Sequence, residues 1–194
     1  MSLEIFIPLQ NLDINNVHIH PPTSTYPLRI PTSLLSYSNS LCTIPKISVL
    51  TDSFFVHNWD PIKGKLELVE PKQVHSFKNI IALQELVIQK LIENPSWSSF
   101  TKYNNEDIQA RFQYPIYNNI FTLFLNNKGP EGIFIHSADG SKKLTLTSTV
   151  PEKIFYQGQR LRIALRFQGL VFLKNTNGKL FYRLQHQIAH IYCS

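Results

Sequence analysis

The sequence predicts a mainly β fold carrying one long helix, a layout that an α+β label also fits. Three observations point there. Short runs in which apolar and polar residues alternate with period two recur from Thr43 onward. A single segment, residues 77–93, has the length and apolar spacing of a helix. The two longest alternating runs, residues 159–173 and 179–192, flank an Asn177-Gly178 corner, a pair favoured in tight hairpins.

The chain has 194 residues and a mass of 22.4 kDa, the size of one ordinary domain. Hydrophobic residues make up 43% of it, enough for a sizeable core, which excludes a wholly disordered chain. Charged residues reach only 16%, so Asn, Gln, Ser and Thr must supply much of the polar surface. The formal net charge is +6 and the sequence pI about 9.3, a balance that favours polyanionic partners. Seven glycines against twelve prolines argue against glycine-rich phosphate loops. Cys42 and Cys193 are too few for a disulfide-stapled secreted scaffold and read as reduced thiols. The N-terminus shows no basic leader, and no stretch of ~18 apolar residues occurs, so neither secretion nor membrane insertion is expected. An intracellular, soluble protein follows from that reading.

Taken in order, residues 1–40 form a Pro-rich N-terminal arm, with Pro21-Pro22, Pro27 and Pro31 set among Ser, Thr and Asn. Each proline removes a ladder donor and restricts its predecessor, so the arm should pack on the core rather than build the sheet centre. Residues 41–194 make the single domain. Strands are expected at 44–50, 54–57 and 64–70, the last alternating as Lys65-Leu66-Glu67-Leu68-Val69-Glu70 with one wet face. In the helix, Lys78, Glu85, Gln89 and Glu93 form only a narrow polar stripe, which predicts an element nearly surrounded by protein. Ser76 is its expected N-cap and Asn94-Pro95 its stop. Residues 96–103 are polar with aromatics and should leave the core, with Trp59 and Trp97 core anchors by default. Further strands are expected at 120–125, 132–136 and 143–149.

If Asn177 and Gly178 are the two central residues of a type I′ turn, Thr176 pairs with Lys179 and the rest of the register follows. Leu165 then opposes His190, Phe167 opposes Ile188, Val171 opposes Leu184 and Leu173 opposes Tyr182, all on an apolar face shared with Leu161 and Ile163. The other face receives Arg160, Arg162, Arg166, Gln168, Leu170, Phe172 and Lys174, together with Lys179, Phe181, Arg183, Gln185 and Gln187. Phe172 should oppose Arg183, and Lys174 should oppose Phe181. Cations interleaved with rings suit a nucleic-acid strand, with charges on phosphates and rings on bases. The bland alternative is a solvated or covered sheet face. An Asp139-Gly140 turn repeats the pattern: Ile133 would face Leu146, Ile135 would face Leu144, and Phe134, His136, Lys143 and Thr145 would lie opposite, with Lys142 and Lys143 at the rim.

Walker-type and dinucleotide-type glycine patterns, a Gly-x-Ser-x-Gly turn and Cys-x-x-Cys are all missing from the sequence. His18-x-His20 and His186-x3-His190 read as packed or surface histidines, and the scattered carboxylates do not group as a two-metal nuclease needs. The expectation is a protein that is not an enzyme, with no cofactor, no metal and no small-molecule substrate.

Ile44-Pro45-Lys46-Ile47-Ser48-Val49, Gly64-Lys65-Leu66-Glu67-Leu68, a long helix closing on Asn94-Pro95-Ser96-Trp97, and the strand from Gly158 to Leu173 occur in this order. In that order and pattern the chain resembles the single-stranded-DNA-binding proteins of large nucleocytoplasmic DNA viruses and their relatives, over residues 41–192. The resemblance implies an elaborated OB-type β-barrel, binding to single-stranded DNA in replication, recombination or repair, and residence in a host cytoplasm or nucleus. The ending Ile191-Tyr192-Cys193-Ser194 departs from the acidic tail many such proteins carry. The modest positive excess asks for stacking or a homo-oligomer to contribute.

The leading expectation is therefore sequence-independent binding of single-stranded DNA, with RNA as the variant. Lys46, Lys65, Arg111, Lys142, Lys143, Arg160, Arg162, Arg166, Lys174 and Arg183 are the candidates for phosphates, and Tyr103, Phe134, Phe172 and Phe181 for bases. The alternative is a non-enzymatic structural or adaptor protein, such as a virion component, that docks through β-edges and its arm.

Overall fold

Why the strands gather as they do is clearest from the two longest. The computed structural model describes residues 6–24, 31–72, 75, 77–98, 105–125, 132–137, 139–144 and 153–194. In chain order the strands are β1 Ile7–Pro8, β2 Val17–Ile19, β3 Thr23–Ser24, β4 Pro31–Ser33, β5 Leu35–Ser38, β6 Thr43–Ile44, β7 Ser48–Leu50, β8 Phe54–Asp60 and β9 Lys65–Val69. Helices α1 Phe77–Glu93 and α2 Asn105–Ala110 come next. Then follow β10 Phe112–Gln113, β11 Ile116–Tyr117, β12 Ile120–Phe124, β13 Ile133–Ser137, β14 Gly140–Leu144, β15 Arg160–Lys174 and β16 Leu180–Cys193. The fold is mostly β with one long helix and a large mixed sheet.

β15 and β16 are the spine of that thirteen-stranded sheet, whose main path runs β11-β12-β9-β8-β15-β16-β13-β14. Along its free edge β15 accepts β8 at Arg160–Leu161, β7 at Ala164–Arg166 and β4 at Leu170–Val171. β16 accepts β13 at His190–Tyr192 and β10 at Tyr182–Arg183, both parallel. Short strands thus find partners by docking in turn on one long hairpin. Among the described residues no pairing joins the two ends of the path.

α1 has the bounds its sequence predicts. The Glu70 carboxylate accepts the Phe77 amide at 2.8 Å, satisfying one of the donors left over at the helix start. At the other end the Asn94 side chain donates to the Lys90 carbonyl at 2.9 Å. Ser76, the expected cap, lies outside the described residues. Phe77, Ile80, Leu83, Val87 and Leu91 are buried, and the Phe77 ring lies 5.0 Å from Phe54 and 6.0 Å from Phe121. The narrow polar stripe expected on α1 is exposed at Lys78, Glu85, Gln89 and Glu93, and Ile81 joins it, while the remaining positions of the helix are buried or half-buried. Through Phe77, α1 packs on the sheet face that carries Phe54 of β8 and Phe121 of β12. No described helix is long and apolar enough to cross a membrane.

From the N-terminal region, Leu9, Leu12, Val17, Leu35 and Tyr37 enter the core. Asn79 of α1 donates to the Leu9 carbonyl at 2.7 Å, β1 runs parallel to β7, and β2-β5-β6 makes a separate small sheet. Pro45 interrupts the expected strand 44–50, leaving β6 and β7 separate. Trp59 and Trp97 are partly buried against the core, Trp59 meeting Phe155 edge-on at 5.2 Å.

The spine corrects the predicted hairpin. Asn175 donates to the Lys179 carbonyl and Gly178 to the Asn175 carbonyl, both at 2.9 Å, so the loop is Thr176-Asn177-Gly178. Only Gly178 takes a positive φ, 72°, which suits a three-residue turn ending in a left-handed glycine. The Asn175 side chain holds this loop by accepting the Asn177 and Lys179 amides. Lys174 consequently pairs with Leu180 rather than Phe181, Phe172 with Tyr182 rather than Arg183, Val171 with Arg183 rather than Leu184, and Leu173 with Phe181 rather than Tyr182. Two bulges then reset the faces. Gln168 is extra on β15, next to Gly169 at φ 133°, and Ala189 is extra on β16. Leu165 therefore pairs with Ile188 and Phe167 with His186, while His190 meets Ala164 and turns away from the core.

The second hairpin is displaced too. Ile133 pairs with Leu144 and Ile135 with Lys142, not with Leu146 and Leu144. That offset is two residues, so Phe134 and His136 keep the face expected for them. The described residues do carry a type I′-like corner, but at Asn118-Asn119, with φ of 49° and 58°, joining β11 to β12.

Candidate nucleic-acid interface

On β15 the core side takes Leu161, Ile163, Leu165 and Phe167, and alternation sends Arg160, Arg162 and Arg166 to the sheet face opposite α1. Arg160 and Arg162 are exposed, and Arg166 is half-buried. Arg160 holds its guanidinium 5.8 Å from the centre of the Phe55 ring, and Arg162 Nε donates to the Thr51 carbonyl at 3.4 Å.

Arg160 and Arg162 each begin a row of side chains across the sheet. From Arg160 the pairing runs through Phe55, Val69 and Ile120 to Tyr117, which is 72% exposed. From Arg162 it runs the other way, through Tyr192 and His136 to Ser141. Between the arginines, Ala164 pairs with His190 and His190 with Phe134. Because directly paired rings on neighbouring strands lie about a strand spacing apart, they stack. Tyr192 lies 4.6 Å from His136 at an interplanar angle of 11°, and Phe134 lies 5.3 Å from His190 at 21°. His136 Nε2 is 3.1 Å from His190 Nδ1, and His136 Nδ1 is 2.7 Å from Ser141 Oγ. Phe6 meets His190 edge-on at 5.8 Å. The result is a column of three arginines with an aromatic–imidazole platform on one flank and a Phe55–Tyr117 row on the other.

Of the residues proposed from sequence, Arg160, Arg162, Arg166 and Phe134 come together here. Arg183 and Phe181 share the outer side of β16, but toward the hairpin tip, where Arg183 Nε donates to Gln185 at 2.9 Å. Lys174 is exposed near that tip. Phe172 is corrected: with the Gln168 bulge before it, it turns into the core with Leu170, 7% exposed, and meets Tyr182 edge-on at 5.6 Å. Lys65 shares the outer face of β9, but its ammonium is bonded to the Glu67 carboxylate, which that hydrogen bond and a second from Asn58 hold below the usual carboxylate range. Arg111 serves the fold, donating to the Leu180 carbonyl at 3.2 Å while its own carbonyl accepts the Tyr182 amide. Lys46 is exposed in the turn before β7. Tyr103 and the side chains of Lys142 and Lys143 lie outside the described residues.

Sequence reasoning missed Phe55, Tyr117, His136, His190 and Tyr192. His190 had been placed inside by the unbulged register, and β11 went unread because its two residues carry no periodicity. The core-side counterpart is the half-buried His186, beside Phe121. Burial, reinforced by the nearby Arg183 charge and opposed by a hydrogen bond with the Leu184 backbone, lowers its pKa to about 4.

Among the described residues no group of three or more His, Cys, Asp or Glu side chains is placed to hold a metal ion. Cys42 and Cys193 are both free thiols. No protein-family model, curated protein or solved structure matches the chain.

Proposed function

We propose that this protein binds single-stranded nucleic acid, DNA in the first instance, without sequence preference, on the sheet face opposite α1, in the service of replication, recombination or repair. The observation that carries the reading is the arginine column Arg160–Arg162–Arg166 with rings on both flanks, on a sheet face that is exposed at Arg160 and Arg162 and half-buried at Arg166. Side chains two residues apart on a strand project roughly 6.6 Å apart, the scale of a nucleotide step along an extended backbone. Phosphates then follow the column while bases lie over Tyr192 and Phe134 or over Phe55 and Tyr117; stacking of this kind tolerates any base. An OB-type likeness belongs to the same proposal, supported by a twice-bulged hairpin whose edges collect short strands. Fluorescence anisotropy with a ~30-nucleotide oligomer tests it: binding that weakens with salt supports the reading, and no binding at low salt overturns it.

A second reading, a non-enzymatic structural or adaptor protein, draws on the ends of the sheet path, which no pairing among the described residues joins, and on Phe124, 56% exposed at the end of β12. The same titration separates the two, since docking by a strand edge gives no oligonucleotide affinity.

A further inference from the structure

Two nitrogens 3.1 Å apart share one hydrogen: of His136 Nε2 and His190 Nδ1, one donates and the other accepts. The far nitrogen of His136 reaches the Ser141 hydroxyl, which can donate to it or accept from it. One proton can therefore be added while both of these hydrogen bonds are kept. His136 then donates from Nδ1 to Ser141 and from Nε2 to His190. A second proton would set hydrogens on both facing nitrogens and break the His136–His190 hydrogen bond.

The surroundings decide the direction of coupling. β16 supplies Tyr192 against His136, and β15 supplies Arg162 opposite Tyr192 and Ala164 opposite His190. β13 supplies Phe134, β14 supplies Ser141 and, by backbone register, places Lys143 opposite Phe134; Phe6 closes the edge. Arg162 opposes an added positive charge in the free protein, and a bound phosphate backbone relieves that opposition. Protonation and polyanion binding then favour each other.

We infer, resting on the nucleic-acid reading, that strand binding at this face is coupled to uptake of one proton by the His136–His190 pair. The test is the affinity for a thymidine oligomer, whose bases do not titrate in the range, from about pH 8 to about pH 5.5 at fixed ionic strength, a span bracketing an ordinary imidazole. Wild type should tighten roughly tenfold over that span, the change expected if binding raises the pair's proton affinity about tenfold. The double variant H136F/H190F, with H136Q/H190Q as a second form and folding checked by circular dichroism, should stay within about twofold across it. Equal pH slopes in wild type and either folded variant, or a flat wild type that still binds, overturn the coupling and leave the nucleic-acid reading standing. No binding at any pH removes both.

Discussion

Arg162 and Tyr192 face one another across the β15–β16 ladder, and each is held from the side: Arg162 by the Thr51 carbonyl, Tyr192 by its stack on His136. A guanidinium and a ring are thereby fixed side by side on open surface. Tyr192 is 39% exposed and Arg162 is exposed, so neither is merely filling the core. On the proposed reading, the guanidinium would meet a phosphate and the ring a base.

Tyr192 and Phe172 should respond oppositely to truncation. Tyr192→Ala removes a stacking surface and should weaken oligonucleotide affinity by about 1–3 kcal/mol, with the salt slope unchanged. Phe172→Ala leaves a cavity against Tyr182 and should cost about 3–5 kcal/mol of folding stability. Urea unfolding beside anisotropy distinguishes them.

Gly169 is required by the backbone. A Cβ there would lie 2.4 Å from the Ser33 carbonyl oxygen, and φ is 133°, a region side-chain-bearing residues avoid. Gly169→Ala should destabilise by about 3 kcal/mol through strain and displacement of β4. Gly178→Ala meets nothing within 4 Å and keeps only the conformational cost, about 1 kcal/mol. Comparing the two urea midpoints checks the bulge geometry.

His186 makes stability fall in mild acid. Its folded pKa is about 4 against an ordinary value near 6.5, so between those values the unfolded chain binds a proton that the native protein does not. The full contribution of the neutral ring is present above about pH 6.5 and is lost as pH falls toward 4, on the order of 3 kcal/mol. Urea midpoints at neutral pH and near pH 4.5 should show the decline, and His186→Leu should shrink it. An undiminished decline in that variant assigns the effect to other groups.

Much of this was legible in the residues. The bounds of α1 and the positions of β9, β12, β15 and β16 follow from periodicity, and outward Arg160, Arg162 and Arg166 follow from alternation within one strand, independent of any partner. What failed needed knowledge of pairing. Asn177-Gly178 looked like a two-residue corner, yet the Asn175 side chain captures two loop amides and lengthens the turn by one. The bulges at Gln168 and Ala189 depend on neighbouring strands, with Gly169 admitting Ser33 of β4, and they turned Phe172 inward and His190 outward. The platform was invisible because it joins β13 to β16 in parallel across more than fifty residues, as the His136–His190 contact shows.

The decisive measurement is oligonucleotide affinity across a salt series for wild type and for Arg162→Ala with Arg166→Ala. Wild type should show log K falling linearly with log salt, and the double variant should bind more weakly with a slope shallower by about 1.4, near 0.7 for each lost phosphate contact on a single strand. A folded double variant that matches wild type at every salt concentration would contradict the assignment of this face.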